Sequence, residues 1–297
     1  MSTQVYAPRH PSHSTQHRIR DIDYHISEWG SQGDPLVVYL HGWSDAGSTL
    51  QAVVDALTMK LHVVAPDWRG FGRSGHSPSG YYFPDYLADL DALLDIYSPD
   101  EPVVLIGHSM GANVAGLYAG ARPERVRVLV NVEGFGLAAR DAQDAPGHYA
   151  RWLKSVRQAA RVATWPTFAA LEQRIVRRAP TIDPAYAAFV AREWAQSDVD
   201  GVVTLRADRK HTLPNPVLYR REEAQACWSN IQADVQIVVG ANSGLEEASN
   251  LWRDLVSNAE YAGTAHQRVI DNVGHMIHFE APRALAGEIE AVADRLG

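Results

Sequence analysis

Short apolar runs alternate with helical stretches along this chain, and no other feature of the sequence narrows the fold as much. Leu36-Val37-Val38-Tyr39-Leu40 is apolar without interruption, as a strand covered on both faces must be, and it stops at His41-Gly42. The spacing then predicts helix 49–59 before strand 61–65, helix 86–97 before strand 103–107, and helix 112–121 before strand 126–132. The cadence resumes with strand 235–240, helix 247–257, strand 268–272 and a last helix over 282–296. Strand, helix, strand at this interval predicts an α/β fold with a doubly wound, mostly parallel sheet. Such a sheet brings the carboxyl ends of its strands to one edge, where ligands bind.

Between Gly134 and Asn230 the strand pattern is lost. Helical stretches are predicted over 148–162, 166–178 and 184–196, followed by Leu213-Pro214-Asn215-Pro216 and a short helix from Glu222. An all-helical insertion between two strands must pack over an edge of the sheet. The organisation expected is therefore a core of residues 19–133 and 231–297 carrying a helical cap, 134–230. The first 18 residues are polar, with His10, His13 and His17 at irregular spacing, and read as a loose arm.

Composition closes off several function classes. A single cysteine, Cys227, cannot form an internal disulfide, and no Cys/His pair has zinc-finger spacing, so the chain suits a reducing compartment and no metal site is expected. No run approaches the roughly 18 apolar residues of a membrane span, and there is no signal-peptide pattern, which points to a cytoplasmic protein. A formal net charge of −8 and a pI near 5.9 offer no basic field for nucleic acid.

The chemistry concentrates at Gly107-His108-Ser109-Met110-Gly111, directly after an apolar strand and directly before a small-residue helix. A serine on so tight a strand-to-helix turn projects its hydroxyl, while glycines on either side relieve crowding. Its hydroxyl needs a base, because a serine is a weak nucleophile at neutral pH. His275, in Asn272-Val273-Gly274-His275-Met276 after the last predicted strand, is the preferred base, with His278 as competitor. Parallel strands bring both loops to the same edge.

His41-Gly42-Trp43, Pro66-Asp67-Trp68-Arg69-Gly70-Phe71-Gly72-Arg73-Ser74, Gly107 to Gly111 and Gly274-His275 together resemble the signposts of the α/β-hydrolase superfamily, in that family's order. The resemblance spans roughly residues 20–297 and is weakest in the helical block. It implies a serine hydrolase that needs no cofactor, with an oxyanion hole formed by the main-chain N–H groups of Trp43 and Met110. It also usually implies an aspartate three residues beyond a glycine at the end of the penultimate strand. Here that glycine is Gly240 and position 243 is Ser243. Glu133, Glu246 and Glu247 are the alternative acids. Glu133 is preferred, since it follows a buried strand on the edge that carries Ser109, and some family members, haloalkane dehalogenases among them, take their acid there. Asp67 and Arg69 are read as loop-fixing residues.

The expected activity is hydrolysis of a carboxylic ester with a small or medium acyl group. Thioester, lactone or carbon–carbon bond cleavage on the same residues is the alternative, and a non-catalytic ligand sensor is the rival from another class. Residues 134–230 hold 14 Lys and Arg against 10 Asp and Glu, so the cap is basic on an acidic body. Arg151, Lys154, Arg157 and Arg161 fall on one helical stripe, which either faces solvent above an apolar pocket or receives an acidic carrier protein bearing the acyl substrate.

Overall fold

The computed structural model describes residues 6–158, 163–257 and 263–293. In chain order it contains β1 (His13–Ile19), β2 (Ile22–Trp29), β3 (Leu36–Leu40), α1 (Gln51–Val54), β4 (His62–Pro66), α2 (Phe83–Tyr97) and β5 (Val103–His108). These are followed by α3 (Met110–Ala121), β6 (Val126–Val132), α4 (Ala145–Ser155), β7 (Thr164–Trp165), α5 (Phe168–Arg178) and α6 (Pro184–Trp194). The chain continues through β8 (Ala195–Ser197), β9 (Val203–Leu205), α7 (Arg221–Trp228) and β10 (Asp234–Gly240). It closes with α8 (Glu246–Ser257), β11 (Ala265–Ile270), α9 (Ile277–Glu280) and α10 (Pro282–Ala293).

One eight-stranded sheet, in the order β1-β2-β4-β3-β5-β6-β10-β11, organises the core. The pairs from β4 through β11 are parallel, and only β1 and β2 join antiparallel. Alternation along each strand divides the apolar residues between two faces. Val38, Leu40, Leu105, Leu129 and Ile237 pack with Trp68, Leu90, Val114 and Trp228 on one side. Val37, Tyr39, Val104, Ile106, Val130 and Val238 pack with Leu50, Leu285 and Ile289 on the other. Both faces are covered, which is why these strands read as unbroken apolar runs. No described helix is long and apolar enough to cross a membrane.

The structure departs from the sequence expectations in several places. The supposed loose arm is, from His13 on, an edge strand paired residue for residue with β2. Its polar sequence, HSTQHRI, belongs to an exposed sheet edge and carries no hydrophobic period. Helix 49–59 shrinks to a 3₁₀ turn, Gly47–Leu50, and the single turn of α1. The cap is not all helical, because β7, β9 and β8 form a small antiparallel sheet. Helix 148–162 ends at Ser155, and its continuation over 159–162, with Arg161, lies outside the described residues, as do the last residues of the C-terminal helix. Finally, α7 packs Ala224 and Trp228 into the main core, tight enough that a Cβ on Gly120 would strike the Cys227 carbonyl.

The cap helices α5 and α6 bury Leu171, Ile175, Tyr186, Val190 and Ala191 against Met276 and Phe279, so they rest on the carboxyl edge of the sheet. A second anchor joins the cap to the loop after β4. Asp208 donates its N–H to the Gly70 carbonyl at 2.7 Å and accepts from the Tyr81 hydroxyl at 2.8 Å. Next to it the His211 ring is stacked between Phe71 and Tyr81, with centroids 3.7 Å from each.

Burial pushes the His211 pKa down to about 4, against about 6.5 for an exposed histidine. Between those values the unfolded chain binds a proton that the folded one refuses, so stability falls as pH drops from about 6.5 to about 4. Denaturant midpoints across this range should fall less steeply for His211→Phe, which keeps the stack without the titration. Equal slopes for the two proteins would exclude His211 as the cause.

Candidate active site

Ser109 occupies the turn between β5 and α3 with φ 53° and ψ −112°, a left-handed conformation that a side chain rarely adopts. The turn is closed by its surroundings. Ser109 donates its N–H to the Val132 carbonyl at 2.8 Å, a Cβ on Gly111 would run into the Leu40 carbonyl, and one on Gly107 would meet the Ala112 backbone. Among the described residues five non-glycines have positive φ, and four of them, Ser44, Ser109, Glu133 and Asn272, lie in loops at the carboxyl edge. Backbone strain therefore collects where the sequence places its candidate chemistry.

His275, in the loop between β11 and α9, reaches Ser109 across the edge. Its Nε2 is 3.0 Å from Ser109 Oγ and its Nδ1 is 3.0 Å from Glu133 Oε2. The carboxylate accepts from Nδ1–H, which leaves Nε2 free to accept the serine proton. The Glu133 side chain is wholly buried, whereas that of His275 is 32% exposed. The other carboxylate oxygen, Oε1, accepts the N–H of Gly240 at 2.6 Å. The acid thus springs from the end of β6 but is held by the end of β10. Glu246 and Glu247 lie exposed in the first turn of α8. Ser243 only caps that turn through the Leu245 N–H.

Trp43 and Met110 flank this line. Met110 opens α3, and among the described residues neither its N–H nor that of Trp43 donates to another group of the chain. Gly42 lies so close that a Cβ there would stand 3.3 Å from the Ser109 Cβ. His41 fixes this loop: its Nδ1–H donates to the Gly42 carbonyl at 2.7 Å, and its Nε2 accepts the Trp68 N–H at 2.9 Å. The Trp43 ring is 48% exposed and meets Phe71 edge-on.

Among the described residues it is His275, and not His278, that is bonded to Ser109. His278 is buried and donates from Nε2 to Asp45 Oδ2 at 3.0 Å. Asp45, His108 and His278 offer ligand atoms within 4.8 Å of one another, the one such grouping among the described residues. Both Asp45 oxygens already accept protein donors, however: Ala46 N–H, Thr49 and Trp194 on Oδ1, and His278 on Oδ2. A cation would have to break those bonds. Asp67 and Arg69 do not pair with each other. Asp67 accepts from the Gly47 and Arg73 amides and faces His25 Nδ1 at 3.0 Å, while Arg69 grips the buried Asp89 through two bonds of 2.5 and 2.6 Å.

Sequence reasoning overlooked the braces. Asn131, fully buried in β6, bonds both the N–H and the carbonyl of Gly134 at 2.9 Å and so closes the turn that carries Glu133. Asn113 spans Ser109 and Gly136 in the same manner. The available signal was an asparagine inside an apolar strand, which is stable only when its amide is satisfied. A cavity of about 900 Å³ lined by His13, Glu28, His62 and Tyr97 sits at the opposite end of the strands, away from this site.

Comparison with known proteins identifies the fold family. The sequence profile described as alpha/beta hydrolase fold matches residues 35–282. A serine hydrolase-like protein of Danio rerio is 27% identical over 270 residues, 88% of this chain and 82% of its own. The 2-(acetamidomethylene)succinate hydrolase of Mesorhizobium japonicum is 26% identical over 233 residues, 78% and 79% of the two chains. A solved thioesterase domain from the curacin biosynthetic pathway superposes with a TM-score of 0.84 at 25% identity, covering 94% of this chain and 99% of its own.

The arrangement makes Glu133 the only carboxylate, among the described residues, bonded to the His275 ring. Glu133→Gln should lower turnover by roughly 100-fold or more, as loss of the orienting acid does elsewhere, while Glu246→Gln and Glu247→Gln stay near wild type. Steady-state rates of the three purified variants decide. Near-normal turnover of Glu133→Gln would reject the assignment.

Proposed function

This chain belongs to the alpha/beta hydrolase fold family, and on that premise we propose that it is a serine hydrolase cleaving a carboxylic ester through an acyl-enzyme. The observation that carries the reading is the line of two 3.0 Å hydrogen bonds from Ser109 through His275 to the buried Glu133. In the proposed mechanism Ser109 Oγ attacks the ester carbonyl as its proton passes to His275 Nε2. Glu133 holds the ring in the required tautomer and balances the imidazolium. The N–H groups of Trp43 and Met110, the latter at the positive end of α3, receive the developing oxyanion. His275 then returns the proton to the leaving alcohol; water, deprotonated by the same ring, attacks the acyl carbonyl, the acyl–Oγ bond breaks to release the acid, and His275 passes the proton back to Ser109 Oγ. The exposed Trp43 ring beside Phe71 supports an apolar acyl group of small or medium length at the entrance.

A second reading, thioester hydrolysis on an acidic carrier protein, is favoured by one feature. No residue of α4 is buried: α4 exposes Arg151 and Lys154 together with Tyr149 and Leu153, and the turn after it exposes Val156 and Arg157. A basic helix with unpartnered apolar residues suits an acidic docking partner.

An active-site-directed fluorophosphonate should label the wild-type protein and not Ser109→Ala, and p-nitrophenyl esters of graded length should be hydrolysed. Labelling that survives in Ser109→Ala, or a wild type that takes up no probe, would reject the enzyme reading and leave a ligand-binding protein. For the carrier reading, kcat/KM on an acyl-carrier thioester should fall several-fold between low and high salt while that on a small ester holds steady. A carrier reaction indifferent to salt would eliminate it.

A further inference from the structure

Behind the proposed catalytic line lies a buried cluster that the mechanism does not use. His108, the residue before Ser109, is 2% exposed, and its Nε2–H donates to the main-chain carbonyl of His275 at 2.8 Å. Its ring lies 4.4 Å from that of His278 and 4.9 Å from that of His275. His278 in turn is tied to Asp45, which stands two residues past Trp43 and donates its own N–H to the Gly42 carbonyl at 3.3 Å. Trp194 of cap helix α6 donates to the same carboxylate at 2.7 Å. The cluster therefore touches the Trp43 loop, the Ser109 turn, the His275 loop and the cap at one point.

We propose that His108, backed by the Asp45–His278 pair, is a positioning residue: it holds the His275 loop against the Ser109 turn so that Nε2 meets Oγ. The inference rests on the serine-hydrolase reading above. Three observations support it. His108 has no exposure through which to touch substrate, so its action must pass through what it binds. Among the described residues its Nδ1 has no hydrogen-bond partner, leaving the His275 carbonyl as the polar contact of the ring. The hydrogen sits on Nε2, because the His275 carbonyl it faces can only accept, and burial, with the neighbouring His278 and His275, pushes the ring's pKa well below the usual histidine range, so it stays neutral. On the other side of the cluster burial would raise the Asp45 carboxyl, but the bond and charge of His278, with Thr49, outweigh it and hold the group well below the usual carboxylate range. An anchored anion thus fixes His278, and His278 packs against His108.

The bond to a carbonyl three bonds from the working ring is short leverage. A loop that drifts by about 1 Å can cost on the order of 100-fold in rate without loss of binding. The test compares His108→Phe, which keeps the ring and removes the donor, with His108→Gln, whose amide N–H can reach the position of the imidazole Nε2. Labelling rates with the fluorophosphonate and kcat and KM on a p-nitrophenyl ester are measured, with thermal unfolding as a control for folding. His108→Phe should lose about 10- to 100-fold in labelling rate and kcat with KM within about two-fold, and His108→Gln should recover most of that loss. A phenylalanine variant that labels as fast as wild type, or a glutamine variant no better than phenylalanine, overturns the proposal. If His108→Phe does not fold, His278→Asn decides: a several-fold slower labelling rate supports the positioning role, and an unchanged rate overturns it. Absence of labelling in wild type removes the hydrolase reading, and this inference with it.

Discussion

The parallel ladder through β5, β6 and β10 carries the site, because its hydrogen bonding does not stop where the strands do. His108 is level with Val132, and Val132 with Val238. One step further, Ser109 N–H still bonds the Val132 carbonyl and Glu133 N–H the Val238 carbonyl, at 2.8 and 3.2 Å. The proposed nucleophile and its distant acid are thus set by strand register, and the Gly240 N–H adds the last rung by holding the Glu133 carboxylate. A slip of one residue would turn every side chain of a strand to the opposite face. Both faces of this sheet are packed with apolar residues, so such a slip would disturb two cores at once.

Against that rigid ladder the loops are bent into conformations that cost about 1–3 kcal/mol each for residues other than glycine. Ser44, Ser109, Glu133 and Asn272 share this cost across the four loops at the edge. Three of these bends are locked by a specific partner close by: Asn131 across Gly134, Asn113 across Ser109 and Gly136, His41 beneath Gly42. Some of the most deeply buried polar residues, Asn131 and His41 among them, therefore brace strained turns. Burial keeps His41 and His108 below the usual histidine range.

Much of this was legible in the sequence. Apolar runs at the right interval marked five of the parallel strands, whereas the sixth, expected over 268–272, runs from Ala265 to Ile270; residues just past strand ends pointed to Ser109, His275 and Glu133, which the fold brings within hydrogen-bond distance. The misses share a physical cause. β1 and much of the small cap sheet lie at exposed edges, where backbone pairing rather than hydrophobic pattern decides the conformation. Asp45 and His108 look like ordinary loop residues until the fold removes water from around them, since their significance comes from neighbours far along the chain: Trp194 and His278 lie 149 and 233 positions from Asp45, and His275 lies 167 from His108. α7 was assigned to the cap from its place in the chain, although Trp228 gives it a berth in the core.

The long separation between the participants has a consequence for synthesis. Ser109 and Glu133 are both made in the first half of the chain, while His275 follows the acid by 142 positions and the serine by 166. A growing polypeptide could pair β5 with β6 and form the serine turn early. On the proposed reading it would then carry a nucleophile without its base until β11 had docked on β10 and brought the final loop round. The order of translation would then act as a safety catch: the hydroxyl stays disarmed in the immature chain and is armed when β11 closes the sheet.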